Sequence, residues 1–224
     1  MEQIKILIRG LISCFIFSTI LFLSAGRISY LQGWIFLATN ILTTFMYFVA
    51  HPKDNELMEE RSKVKEDAKS WDKLLLGISA FIYLVNIIVA GLDSGRFHWS
   101  PDFSWPVYAV GILLTVTGQI IFLTAMRQNK FFSSIVRIQK DRGHVVCDTG
   151  LYKIVRHPGY LGMSISLLGV PFMTGSIWSL IPTSIAIILL FVRTALEDKT
   201  LKNELEGYTE YTRKTSSKLI PWVW

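Results

Sequence analysis

The sequence is short of charge. Asp, Glu, Lys and Arg make up 18% of its 224 residues, against 51% hydrophobic residues and a mean hydropathy of +0.40. A water-soluble domain of this length has more surface than so few charges can cover, so lipid is the expected surrounding for most of the chain. Cysteine is scarce too. Cys14 stands in an apolar run and Cys147 in a polar connection, with no CxxC and no Cys/His ligand spacing. That excludes a disulfide-stapled module and gives no reason to expect a zinc or redox site, so two free thiols and no metal are predicted. There is no low-complexity tract, glycine-rich linker or internal repeat, and no GxGxxG after a strand, which argues against a soluble dinucleotide-binding type of fold. The apolar content excludes a disordered chain. The formal charge of +6 would hint at nucleic acid in a soluble protein. In a membrane protein it marks cytoplasmic loops, so no nucleic-acid partner is expected.

Five long apolar stretches are present, at 4–25, 31–50, 74–92, 106–126 and 159–192. A membrane helix needs about 20 apolar residues. The last stretch is long enough for two, and Pro171, Gly175 and Pro182 mark a turn near Thr174–Ser176. The fold class predicted is therefore all-α and polytopic, with about six membrane helices, the last two forming a tight hairpin. Charge placement agrees. With six spans, 21 of the 23 basic residues fall on one side, and only Arg27 and Arg96 on the other. This predicts cytoplasmic termini and a multi-pass membrane protein. Lys5 and Arg9 before an apolar core resemble a signal peptide, but the core is too long for one and is read as a span. The 53–73 stretch is read as a charged, amphipathic cytoplasmic connector with a solvated face. Two regions follow: 1–126 with four helices, and 127–224 with the chemistry.

The residues suited to chemistry cluster in that second region. The segment from His144 to Gly162 contains His144-Val145-Val146, Gly150, Tyr152 and Arg156-His157-Pro158-Gly159-Tyr160. Gly143 and Gly150 permit tight turns, and Pro158 biases His157 away from helix, so a membrane helix should start at Pro158 or Gly159. On these residues alone, a basic juxtamembrane cap and a ligand site are equally good readings. Further on, Arg193 and Glu197 are four apart and share a helix face where the last span leaves the membrane. Gly207 is expected to end that helix. Tyr208, Tyr211 and the terminal Pro221-Trp222-Val223-Trp224 read as interfacial anchors.

The string His144 to Gly162, with its GlyxTyr element and ArgHisProGlyTyrLeuGly, resembles the cofactor signature of the isoprenylcysteine carboxyl methyltransferase family. The series Arg193, Glu197, Leu201, Gly207-Tyr208, Tyr211 and Leu219-Ile220-Pro221 resembles its C-terminal signature. The resemblance covers roughly residues 118–224. It implies a prokaryotic-type membrane methyltransferase, in a cell membrane, that uses S-adenosylmethionine bound at the cytoplasmic face under the tail. A lipophilic or lipidated acceptor would enter from the bilayer, and carboxyl O-methylation of a prenylcysteine-like or other lipid carboxylate is expected. Carried over by position, His144, Val145 and Val146 would line the adenosine part. Tyr152, His157 and Tyr160 would complete the cofactor pocket, and Glu197 would hold the cofactor's charged end. Arg193 would orient the acceptor carboxylate, making Arg193 and Glu197 the catalytic pair. Gln128 and Asn129 align more loosely. The competing readings are a membrane NADPH-dependent reductase of the steroid-reductase type, in which an acidic residue would be expected where Met163 stands, and a non-enzymatic scaffold or transporter. The latter finds only isolated polar residues in the spans, such as Asn40, Asn86 and Gln119.

Overall fold

The computed structural model describes residues 2–50, 61 and 69–224. Most of the charged 53–73 connector lies outside the described residues. Helix α1 runs Glu2–Ala25, α2 Leu31–Ala50, α3 Ser70–Ala90, α4 Trp105–Gln128, α5 Pro158–Thr174, α6 Leu180–Glu204 and α7 Tyr208–Lys214. No strand occurs among the described residues. The helical segments Ile4–Ala25, Leu31–Ala50, Ser70–Phe97, Trp105–Gln128 and Leu180–Glu204 are each long and apolar enough to cross a membrane. Helix α5, with 17 residues, is shorter than these five.

The breaks follow the local chemistry. Helix α5 starts at Pro158, whose missing N–H costs nothing in a first turn. It ends at Gly175 in the left-handed conformation, φ 70°. The long final apolar run is thus two helices, as Gly175 suggested. The third segment extends past its α-helix through a π-helical turn, Gly91–Phe97. Asp93 in this turn is fully buried, a polar residue the sequence pattern concealed. It accepts hydrogen bonds from Ser100 N (2.7 Å), Ser100 Oγ (2.6 Å), Ser176 Oγ (2.6 Å) and Trp178 N (3.2 Å). These bonds tie the α3–α4 connection to the α5–α6 turn at the end of the bundle away from the 131–160 region.

Helices α4 and α5 make the most intimate contact, along Gly111, Thr115 and Gly118 on one and Gly162, Ser166 and Gly169 on the other. A Cβ on Gly162 would lie 2.5 Å from the Gly118 carbonyl oxygen and 2.7 Å from Phe122 N, and one on Gly118 would lie 2.5 Å from Ser166 N. Small residues let the backbones touch, which is how helices pack where lipid removes the hydrophobic drive. The contact holds the chain segment after α4 beside the start of α5. Gly118→Val should therefore destabilise by about 1–3 kcal/mol through overpacking, read as a lower thermal midpoint in detergent. Gly77→Val, with open space around it, should leave the midpoint in place.

Candidate active site

A cleft opens where the 129–160 segment meets the end of α6 and α7. Its space, open mouth included, is about 810 Å³, and its lining includes His144, Val145, Val146, Tyr152, His157, Tyr160 and Glu197. All the residues proposed for the cofactor thus face one space, although they come from sequence positions as far apart as 144 and 197. Asn129 also lines it. Gln128 does not. Its side chain packs under Gly150, whose φ is +57°, and its Oε1 accepts the Leu151 N–H at 2.8 Å, so it docks the short turn that presents Tyr152.

Three devices shape the walls. The first is the turn 139–144, closed by His144 N donating to Gln139 O at 3.2 Å and Gln139 N donating to His144 Nδ1 at 3.3 Å. Gly143 takes the positive φ this turn needs, 62°. The His144 ring lies 4.5 Å from the Phe131 ring, between centroids. The Val145, Val146 and Cys147 backbone N–H groups that follow have no hydrogen-bond partner among the described residues and are available to a ligand.

The second device is a buried ion cluster that sequence reasoning missed. Asp198 receives Arg156 Nε at 2.7 Å and Nη2 at 3.2 Å, and the Tyr208 hydroxyl at 3.0 Å. His157 Nε2 is 3.5 Å away. Arg156 Nη1 donates to the carbonyls of Thr215 and Ser216, at 2.8 and 2.7 Å. The backbone N–H groups of Arg156 and His157 donate to Ser217 O and Lys218 O. One arginine thus joins the start of α5, the end of α6 and the tail. Tyr208 and Tyr211 are each only 4% exposed, and Tyr211 donates to Tyr152 O at 2.6 Å. They are cleft walls, not interfacial anchors, because their hydroxyls find buried acceptors. Burial, with Asp198 beside it, pushes the Tyr208 hydroxyl well above the usual phenol range, so it stays a donor. Gly207 (φ 79°) opens α7 rather than ending α6, which stops at Glu204.

The third device is the setting of Arg193 and Glu197. Arg193 is not on the cleft lining. Its Nε and Nη2 grip Asp72 at 2.7 and 3.2 Å, and Nη2 also donates to Ser134 O at 2.9 Å. Glu197 instead accepts the Tyr160 hydroxyl. The link between the two is the Tyr160 ring, 5.1 Å from the Arg193 guanidinium carbon. Asp72 is fully buried in the first turn of α3, which begins at Ser70, within the stretch expected to be a solvated connector.

Burial, then the nearby Arg137 and Arg142, push His144 down to about 4. The ring is neutral at pH 7, and Nδ1 is an acceptor. Since the unfolded chain takes up this proton near the ordinary value of 6.5, the contribution to stability is complete above pH 6.5. It is lost as pH falls towards 4. His144→Gln should therefore flatten the decline in thermal midpoint between pH 6.5 and 5. An unchanged slope would contradict a neutral, half-buried ring.

The comparisons with known proteins fall on this region. The model of the isoprenylcysteine carboxyl methyltransferase family matches residues 102–203. The protein-S-isoprenylcysteine O-methyltransferase of Schizosaccharomyces pombe is 31% identical over 172 residues, 68% of this chain and 73% of that protein. The probable protein-S-isoprenylcysteine O-methyltransferase of Oryza sativa subsp. indica is 26% identical over 118 residues, 51% of this chain and 62% of that one. The match therefore spans just under two thirds of the rice protein. Methanethiol S-methyltransferase 1 of Bradyrhizobium diazoefficiens is 38% identical over 73 residues, 32% of this chain and 25% of that enzyme. The matched stretch holds α4, the cleft-forming segment, α5 and nearly all of α6, and on these similarities the chain belongs to the isoprenylcysteine carboxyl methyltransferase family.

Proposed function

We propose that this protein is a membrane-embedded methyltransferase that uses S-adenosylmethionine and methylates a lipophilic acceptor, by carboxyl O-methylation of a prenylcysteine-like or other lipid carboxylate. The observation that carries the reading is the convergence of two distant sequence signatures on one aromatic cleft holding the Glu197 carboxylate. The cleft suits the cofactor. Flat walls from Phe131, His144 and the tyrosines fit an adenosine, the unpaired backbone at Val145 and Val146 can read its edge, and Glu197 can balance a positive charge. Bound there, S-adenosylmethionine supplies an electrophilic methyl group on a sulfonium.

The chain's own residues then have positioning and desolvating tasks. A carboxylate acceptor is already ionised at neutral pH, so no strong base is required. Tyr152, His157 and Tyr160 close the pocket. Tyr160 fixes the rotamer of Glu197 through its hydroxyl. Arg193 offers the acceptor its Nη1 edge, which has no partner among the described residues. The charge distribution supports both termini in the cytoplasm, with α5 as a sixth, shorter span, and the reading places the protein in a prokaryotic cell membrane. The test is transfer of a labelled methyl group from S-adenosylmethionine into a total membrane extract. Label released as volatile methanol by base is the expected result, as for a methyl ester. Base-stable label would move the reading to N- or S-methylation. No transfer, with tight NADPH binding instead, would replace it with a reductase.

A further inference from the structure

Arg193 arrives at its place with most of its donors committed. Of its five N–H groups, the Nε one and one Nη2 one go to Asp72, and the second Nη2 one goes to Ser134 O. Only the Nη1 pair lacks a partner among the described residues. Asp72 is itself fixed. It is fully buried, and its Oδ2 accepts the Val136 backbone N–H at 2.8 Å. Val136 lines the cleft, so the carboxylate joins α3, the cleft wall and α6 at one point, 121 residues in sequence from the arginine it holds. A bidentate carboxylate defines the plane and direction of a guanidinium, which a lone carbonyl cannot do.

We propose that Asp72 is a positioning residue for the acceptor, aiming the free Nη1 edge of Arg193 past the Tyr160 ring. This rests on the reading of Arg193 as the acceptor's ligand. It also sharpens that reading. With the Nε–Nη2 edge taken by Asp72, the acceptor is held through the Nη1 end alone rather than by the fork-to-fork geometry an unpaired arginine would offer. Acceptor affinity is then sensitive to the direction of one group, and Asp72 sets that direction.

The test uses the full chain in detergent, with labelled S-adenosylmethionine and N-acetyl-S-farnesylcysteine as the probe acceptor. Asp72→Asn keeps an acceptor for Val136 N but removes the charge and one oxygen. It should raise the acceptor KM about tenfold while leaving the Kd of S-adenosylhomocysteine within about twofold. Asp72→Glu, which restores the carboxylate, should recover the KM to within about threefold of wild type. Because Asp72→Asn leaves Arg193 buried without its counter-ion, the double variant Asp72→Asn/Arg193→Gln is the second reading. Its acceptor KM should equal that of Arg193→Gln alone, since Asp72 acts only through the arginine. An unchanged KM in Asp72→Asn, an equal loss of S-adenosylhomocysteine affinity, or a double variant worse than Arg193→Gln would each overturn the role. Wild-type protein that binds S-adenosylhomocysteine yet transfers nothing to this probe would instead sink the acceptor reading beneath it.

Discussion

Arg156→Ala should abolish tight cofactor binding and free the tail. The side chains of Arg156 and Asp198 are each only 3% exposed, and truncating the arginine leaves a buried carboxylate with its main counter-ion gone. Breaking such a pair costs about 3–5 kcal/mol. The loss is wider than one ion pair, because Arg156 Nη1 also holds the carbonyls of Thr215 and Ser216. Tyr208 shares Asp198 with Arg156, so a wall of the cleft is loosened with the tail. The expected readout is protease cleavage within residues 205–218 at enzyme concentrations that spare the wild type. Affinity for S-adenosylhomocysteine should fall by about two orders of magnitude, the equivalent of about 2.7 kcal/mol. Arg156→Lys restores the charge but not the fork that spans carboxylate and carbonyls, and it should rescue only part of the affinity. A tail left protected in Arg156→Ala would mean that the backbone bonds to Ser217 and Lys218, with the Tyr211 and Thr215 hydroxyls on Tyr152 O, hold it without the arginine.

Glu197→Gln should act on the chemistry with little effect on the fold. Glutamine can still accept the Tyr160 hydroxyl, so the local packing survives while the negative charge is lost. Placed in a water-poor cleft, a single electrostatic contact to a reacting centre is worth about 10²–10³ in kcat. Methyl transfer should fall by that factor, with a thermal midpoint close to wild type. Glu197→Asp keeps the charge but draws it back from Tyr160, and an intermediate rate is expected. Retention of most wild-type turnover in Glu197→Gln would remove Glu197 from the catalytic role proposed for it.

Much of this arrangement was legible because it rests on residues with strong local preferences. Pro158 and Gly175 mark the ends of α5, and the positive φ at Gly143 and Gly150 matches their expected use in turns. The side chains that hold the site together were hidden for a physical reason. Asp72 lies beside a run of charges, where a carboxylate is ordinarily solvated, and only the fold reveals its partner in α6. Asp198 stands next to Glu197, but adjacent helical residues point about 100° apart. One carboxylate faces the cleft and the other the Arg156 cluster. Tyr208 and Tyr211 have the composition of interfacial anchors, and buried acceptors from 152 and 198 draw them inward instead. The sequence put Arg193 and Glu197 on one helix face, but that Arg193 turns to Asp72 and Glu197 to Tyr160 shows only in the fold.

The proposed function rests on the cleft being a site for S-adenosylmethionine, held in part by Glu197. Equilibrium binding of S-adenosylhomocysteine to the purified protein, with NADPH as the competing ligand, tests it most directly. The expected result is saturable binding of S-adenosylhomocysteine that Glu197→Gln weakens and that excess NADPH does not displace. Saturable NADPH binding with no uptake of S-adenosylhomocysteine would contradict it.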